Sequence, residues 1–282
     1  MASCVRLTAL TLENFKNVIH GKLTFPELES GGSVLGLYGQ NGSGKSALIR
    51  ALAGLKTLLV GRALEKSLAE CIRIDAGKAH ITYDLCLADE DEKIPLSYEV
   101  FLQSPPSGLV NATASVLAGE KLSMALKGKD GKARKTLLID TTVADCPFGP
   151  QSRFKEFVGP DKSRRMALSV ARELTREKGT SFLFSPALKK AFTDYLGSNP
   201  KKNGVLHEVL DVLNRLVTYG KTEFFVSDAT GTGLTLHTDG IGENTPATLT
   251  GGLLLLPLTG PVKVVVEKLP VLEKLITQMN LV

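Results

Sequence analysis

Gly39-Gln-Asn-Gly-Ser-Gly-Lys-Ser46 follows the pattern Gly-x4-Gly-Lys-Ser/Thr at every position. That spacing suits one chemistry, the holding of a polyphosphate. Small residues let consecutive backbone N–H groups turn inward around the anion. A helix that begins directly after them aims its positive end at the same place. Gly39, Gln40, Asn41, Gly42, Ser43, Gly44 and Ala47 are therefore expected to contribute backbone, with the N–H groups from Gly42 to Ala47 cradling the phosphates. Lys45 is expected to neutralise the β- and γ-phosphates. The Ser46 hydroxyl is the expected protein ligand to Mg²⁺. The cofactors this implies are ATP and Mg²⁺.

Such a loop works only between a strand and a helix. Val34-Leu-Gly-Leu-Tyr38 before it is a short apolar run that reads as a buried strand. Ala47-Leu-Ile-Arg-Ala-Leu-Ala53 after it is a good helix former, and the helix is expected to run past Leu52 toward Leu59. Further upstream, Val5 to Leu12 alternates apolar and polar residues, as a half-buried strand does. A turn at Glu13-Asn-Phe-Lys-Asn17 leads to a second strand, Val18 to Phe25. Ala63 to Ile72 has helical spacing.

Beyond the loop helix the pattern changes to hairpins. Ala79 to Leu87 and Ile94 to Gln103 read as strands joined by the acidic turn Asp89-Glu-Asp-Glu92. Lys121 to Leu126 and Lys135 to Asp140 read as a second pair, turned at Lys129-Asp-Gly131. Helices follow at Ser163 to Lys178, with Gly179 as C-cap, and at Pro186 to Leu196. A third, Val205 to Tyr219, stops at Gly220 and has Leu206, Val209, Leu210, Leu213 and Leu216 on one face. Strands are expected again at Glu223 to Ser227, Gly233 to His237 and Leu253 to Leu256, and a last amphipathic helix from near Pro270 to Leu281-Val282. The expected organisation is a P-loop lobe with antiparallel sheet over 1–145, a helical insertion over 146–220, and returning strands with a final helix over 221–282.

The 282 residues are 43% hydrophobic and 22% charged, an ordinary globular balance. No stretch approaches 18 apolar residues and the N-terminus lacks a signal-like run, so a cytoplasmic, non-membrane protein is expected. Cys4, Cys71, Cys86 and Cys146 are scattered, without a CxxC pair, and read as reduced thiols. His20, His80, His207 and His237 form no metal-ligand pattern. The net charge of +5 concentrates at Lys127 to Lys135, Lys162 to Arg165 and Lys201-Lys202. No aromatic residues interleave with these clusters as a stacking platform would need. Any DNA affinity is thus expected to be weak and sequence-independent.

Hydrolysis requires more than the loop: an apolar strand ending in Asp for Mg²⁺, and in ABC-type enzymes a following Glu and an LSGG-like signature. Three near misses stand out. Thr136-Leu-Leu-Ile-Asp140 has the shape of the Mg²⁺ strand, but Thr141 follows where Glu belongs, and the segment reads as half of a hairpin. Leu249-Thr-Gly-Gly252 resembles a signature but precedes a strand-like run. Ser163 to Leu174 resembles the helix after a signature, yet Phe182 to Ser185, where the next strand belongs, carries no acid. That helix reads more simply as basic and amphipathic.

A strand, Asn14-Phe-Lys-Asn17, a second strand and then Gly39 to Ser46 together resemble the opening of the RecF, SMC and OLD-like branch of ABC-type ATPases. The resemblance covers roughly residues 5 to 55. It implies an α/β fold, a P-loop NTPase (ABC ATPase-like) lobe with antiparallel β-hairpins and a helical insertion. It further implies ATP hydrolysis by an ATP-dependent homodimer in DNA repair or antiphage defence, and an approach of Asn14 to Asn17 to the base or ribose. In that branch the signature, the Mg²⁺ Asp and the catalytic Glu come late in the chain. The sequence is therefore expected to be the N-terminal part of a longer ATPase, binding ATP with little turnover alone. Two alternatives stay open: a non-catalytic nucleotide-binding module completed by a partner subunit, and a compact P-loop enzyme using Asp140 as Mg²⁺ ligand.

Overall fold

The computed structural model describes residues 4–25, 37, 43–88, 93–104, 116–127, 132–143, 146–149, 151–159, 161–199, 204–224 and 226. Six strands form one antiparallel sheet: β1 (Cys4–Phe15), β2 (Val18–Thr24), β3 (Lys78–Ala88), β4 (Lys93–Gln103), β5 (Leu117–Lys127) and β6 (Ala133–Asp140). Their spatial order is β2-β1-β3-β4-β5-β6, so among the described residues β2 and β6 are the two edges. Period-two alternation decides which side is covered. In β3 the residues Ala79, Ile81, Tyr83, Leu85 and Leu87 are buried, while His80, Thr82 and Asp84 lie half-buried on the opposite face. Tyr83 pairs with Tyr98 in register, and Leu96, Val100 and Leu102 of β4 extend the same apolar face.

Helix α1 (Lys45–Leu59) covers that face. Ala47 and Ala51 are fully buried, and their small side chains let the helix lie close to the strands. The Tyr83 hydroxyl, carried into the core by its ring, donates to the Ala51 carbonyl at 2.7 Å. A buried phenol is tolerated only with such a partner. After a 3-10 turn (Lys66–Cys71) the chain enters β3.

Among the described residues four α-helices follow the sheet: α2 (Gln151–Val158), α3 (Lys162–Lys178), α4 (Pro186–Ser198) and α5 (Gly204–Thr218). Their limits obey capping chemistry. The Asp161 side chain accepts from Arg164 N and the Ser185 hydroxyl accepts from Leu188 N, each at the start of a helix. Gly179 closes α3 with φ of 70°. Phe148, Phe157, Phe192 and Tyr195 stack edge to face or tilted between α2 and α4. Leu168, Phe192 and Leu216 share one continuous core with the sheet residues. At the far end of α1, buried Lys56 donates to the Phe224 carbonyl at 2.7 Å.

The structure adjusts several expectations. Ala63 to Ile72 holds a 3-10 turn over Lys66–Cys71 in place of an α-helix. Phe182 to Ser185 is a turn, because Ser185 must cap α4. Gly220 does not terminate a helix. It lies within a π-helical turn (Tyr219–Glu223), where a Cβ would stand 2.6 Å from Leu59 Cβ. Glu223 belongs to that turn, so the strand expected from Glu223 does not start there. The strand expected at Val34–Tyr38 (Leu37 apart), the turns at Asp89–Glu92 and Lys129–Gly131, and everything expected beyond Val226 lie outside the described residues. Among the described residues no helix is long and apolar enough to cross a membrane.

Candidate phosphate-binding site

Of the nine loop residues, Ser43, Gly44, Lys45, Ser46 and Ala47 are described, and Gly39, Gln40, Asn41 and Gly42 lie outside the described residues. Gly44 is the N-cap of α1, with φ of 96° and ψ of 0°. Its carbonyl accepts the first helical hydrogen bond, from Leu48 N at 3.1 Å. The left-handed conformation there is one that only glycine adopts without strain. Space imposes the same choice, since a Cβ on Gly44 would lie 3.0 Å from Val18 Cγ2.

No side chain caps α1 and no acid occupies its first turn. Among the described residues no side chain therefore competes for the leading N–H groups and the positive end of the helix dipole. Lys45 is half-buried, and its ammonium donates to the Ser43 hydroxyl at 3.3 Å. Ser46 is exposed, whereas Ala47 is fully buried against the sheet. The helix therefore splits its first turn between the core and the loop. Ala47 anchors it, Ser46 faces outward, and Lys45 lies between. This donor set fits a phosphate chain and its cation: an ammonium, a hydroxyl and the backbone N–H groups of a helix start.

The Asn-Phe-Lys-Asn turn stands next to this loop. Asn14 and Lys16 are both left-handed, with φ of 52° and 53°. Phe15 is fully buried between them. The turn is pinned from the 3-10 segment, where Lys16 N donates to the Cys71 carbonyl at 2.5 Å and Arg73 N donates to the Asn14 carbonyl at 3.0 Å. Val18, which meets Gly44, is the first residue of β2 after this turn. Two sequence motifs separated by more than twenty residues thus share one corner. Arg50 of α1 and Lys16 act electrostatically on the same Cys71 thiol, whose pKa is nevertheless pushed up by burial.

Asp140 is elsewhere. It ends β6, the edge opposite β2. Five inter-strand steps separate the two edges, on the order of 24 Å. Its carboxylate is engaged locally: Oδ1 accepts from Thr142 N at 3.0 Å and from Thr142 Oγ1, and Oδ2 pairs with Lys121 Nζ at 3.1 Å. The β5–β6 pairing confirms the hairpin origin of this segment, with Lys121 opposite Asp140. Asp140 and Ser46 thus sit on different elements, the end of β6 and the first turn of α1, and the partners of Asp140 include Thr142 and Lys121. Arg164 is likewise committed. Its guanidinium lies 5.0 Å from the Tyr195 ring centre and donates to the Phe157 carbonyl at 2.8 Å, so this member of the basic cluster braces the helices.

One polar centre was not anticipated. Glu120 is 1% exposed and receives the Tyr98 hydroxyl, the Ser181 hydroxyl at 2.6 Å and Phe182 N at 2.9 Å. Burial pushes its pKa up, against the pull of these donors. Glu120 joins the sheet to the turn before α4. The signal was present in the alternation, since Glu120, Leu122, Met124 and Leu126 recur at period two and place an acid on the core face.

No family model matches the chain. No curated protein matches it either. Among solved structures it is similar to the recombination mediator protein RecF of the RecFOR pathway, in two forms. RecF-ATP is 16% identical, with a TM-score of 0.28, over 78% of this chain and 54% of that one. RecF-ATPrS is 16% identical, with a TM-score of 0.26, over 77% of this chain and 52% of that one. The chain spans about half the length of these two structures, and the likeness concerns the fold alone.

Proposed function

We propose that this chain binds Mg²⁺-ATP at residues 39–47 and serves as the nucleotide-binding part of an ABC-type ATPase. The observation that carries the reading is the start of α1: an uncapped helix N-terminus opened by a left-handed Gly44, with Lys45 and Ser46 beside it and Ala47 buried behind. The backbone N–H groups from Gly42 to Ala47 surround the phosphates, Lys45 neutralises the β- and γ-phosphates, and the Ser46 hydroxyl holds Mg²⁺. Magnesium supplies charge neutralisation at the γ-phosphate. The Asn14–Asn17 turn, sharing the Val18–Gly44 corner, lies on the base or ribose side.

Turnover needs a metal-binding acid, a water-orienting Glu and a signature. With Asp140 engaged at the opposite sheet edge, these come from a composite site formed in an ATP-dependent homodimer. A partner subunit that completes a non-catalytic module is the second reading, favoured by the same placement of Asp140. The biological setting we propose is DNA repair or antiphage defence, with at most weak, sequence-independent contact to DNA. The test is a titration with a fluorescent ATP analogue in the presence and absence of Mg²⁺. Binding that requires Lys45 and is strengthened by Mg²⁺ supports the reading. Binding indifferent to both sinks it.

A further inference from the structure

We propose that α1 links the occupancy of its N-terminal loop to the register of the π-helical turn Tyr219–Glu223, with Lys56 as the latch between them. The inference rests on the reading of residues 39–47 as a nucleotide site. Lys56 stands in the last turn of α1 and is 6% exposed. A buried ammonium is costly unless it is hydrogen-bonded. It donates to the Phe224 carbonyl at 2.7 Å, across 168 positions of sequence. The Phe224 amide is held as well, by the Tyr219 carbonyl at 2.9 Å. That bond spans five residues, the π pattern, where an α-helix would use the Gly220 carbonyl. The Tyr219 and Phe224 rings are buried and stack with centres 5.3 Å apart. Gly220 lies so close to α1 that Leu59 leaves no room for a Cβ.

The π turn is the element with two arrangements. It continues α5 directly, through Thr218 with helical φ of −61° and ψ of −48°. A single π turn within a helix is uncommon and is frequent at functional sites. If the Phe224 amide bonded the Gly220 carbonyl, the turn would become α-helical. The chain after it would then rotate by about 100° and shift by about 1.5 Å. Two contacts oppose that slip, the Lys56–Phe224 bond and the packing of Gly220 on Leu59. Both come from the last turn of α1, and the first turn of the same helix carries Lys45 and Ser46. Lys45 and Lys56 stand roughly 16 Å apart along its axis. A phosphate that fixes the start of α1 therefore steadies its end. A ligand shifts such an equilibrium only by its differential affinity for the two states. Here the difference is the position of α1, which the latched turn holds and the slipped turn does not. Nucleotide thus favours the latched π register.

The experiment is hydrogen exchange read by mass spectrometry on the full chain, with and without Mg²⁺ and the non-hydrolysable analogue AMP-PNP. Exchange over residues 219–224 should slow at least about fivefold on binding, and more than exchange over residues 121–127 of β5. Lys56→Met keeps the length of the side chain and removes the donor. It should abolish the extra slowing at 219–224 while the analogue still binds, weaker by about the same factor, because coupling is reciprocal. A purely structural role for Lys56 would change exchange equally with and without nucleotide. The parent chain alone is already decisive, whatever the stability of the variant. If AMP-PNP binds and exchange at 219–224 is unchanged, or slows only as much as in β5, the inference is overturned while the nucleotide site stands. Slowing that persists in Lys56→Met also overturns it. If the parent does not bind AMP-PNP, the reading of the loop falls and this inference with it.

Discussion

Gly44 and Val18 meet where the loop helix begins and the second strand starts, and a Cβ on Gly44 would stand 3.0 Å from Val18 Cγ2. The contact joins two motifs that the sequence keeps apart, the Asn14–Asn17 turn and the Gly-Lys-Ser of the loop. It makes the position of α1 depend on β2, and so ties the helix that follows the glycine loop to an outer strand of the antiparallel sheet.

Gly44→Ala tests that dependence. The substitution forces a side chain into φ of 96° and against Val18. It is expected to cost about 1–2 kcal/mol, read as a lowered melting temperature. Nucleotide affinity should fall as well, since the helix start moves. Adding Val18→Ala should recover the steric share and not the conformational share. Full recovery would show that φ at this position is not constrained.

Glu120 is the second test. Glu120→Ala leaves the Tyr98 and Ser181 hydroxyls and Phe182 N without their acceptor. Each buried donor left unpaired costs on the order of 1–3 kcal/mol, so a loss of about 3 kcal/mol or more is expected in denaturant unfolding. Glu120→Gln should be milder, because it keeps one acceptor oxygen.

The same residue gives a pH dependence. Burial raises the folded-state pKa of Glu120 above its unfolded value. Between those two values the folded chain holds more protons than the unfolded chain, so stability falls as pH rises through that window. The contribution of this group is complete below the ordinary carboxylate range and lost above the raised pKa. In Glu120→Gln that part of the slope should vanish. Unfolding free energies measured at several pH values would check it, and an unaltered slope in the variant would contradict it.

Asp140→Asn separates architecture from metal binding. The carboxylate holds Lys121 and its own turn through Thr142, so the substitution is expected to cost roughly 1 kcal/mol. Mg²⁺-dependent binding of an ATP analogue should not change. A selective loss of the Mg²⁺ effect, with stability intact, would place Asp140 at the metal.

DNA affinity should be weak from the outset, and its decline between roughly 50 and 200 mM salt should be shallow, because only a few phosphates can be neutralised. Arg164→Ala should destabilise the helices without altering that affinity, since Arg164 is spent on Tyr195 and the Phe157 carbonyl. Anisotropy of a labelled duplex would show both.

Much of this arrangement was legible in the residues because the relevant signals are local. Alternation over Ala79 to Leu87 and Ile94 to Gln103 marked β3 and β4 almost to the residue. Gly179 and Pro186 marked helix ends through their φ preferences. The extent of α1 followed from its helix formers up to Leu59. What was hidden depends on partners distant in sequence. Phe182 to Ser185 is as apolar as a strand, yet Glu120 and the capping demand of α4 hold it as a turn. Gly220 looked like a helix stop, but close contact with Leu59 is what requires a glycine there. The placement of Asp140 on the far edge could not be read from Thr136 to Asp140 itself, because strand order is set by the whole sheet.

The most direct test of the central claim is the affinity of the full chain for a fluorescent ATP analogue with Mg²⁺, compared with that of Lys45→Ala at matched folded fraction. Removal of a charged donor to phosphate should weaken binding about ten- to a hundredfold. Equal affinity of the two proteins would contradict the assignment of residues 39–47 as the nucleotide site.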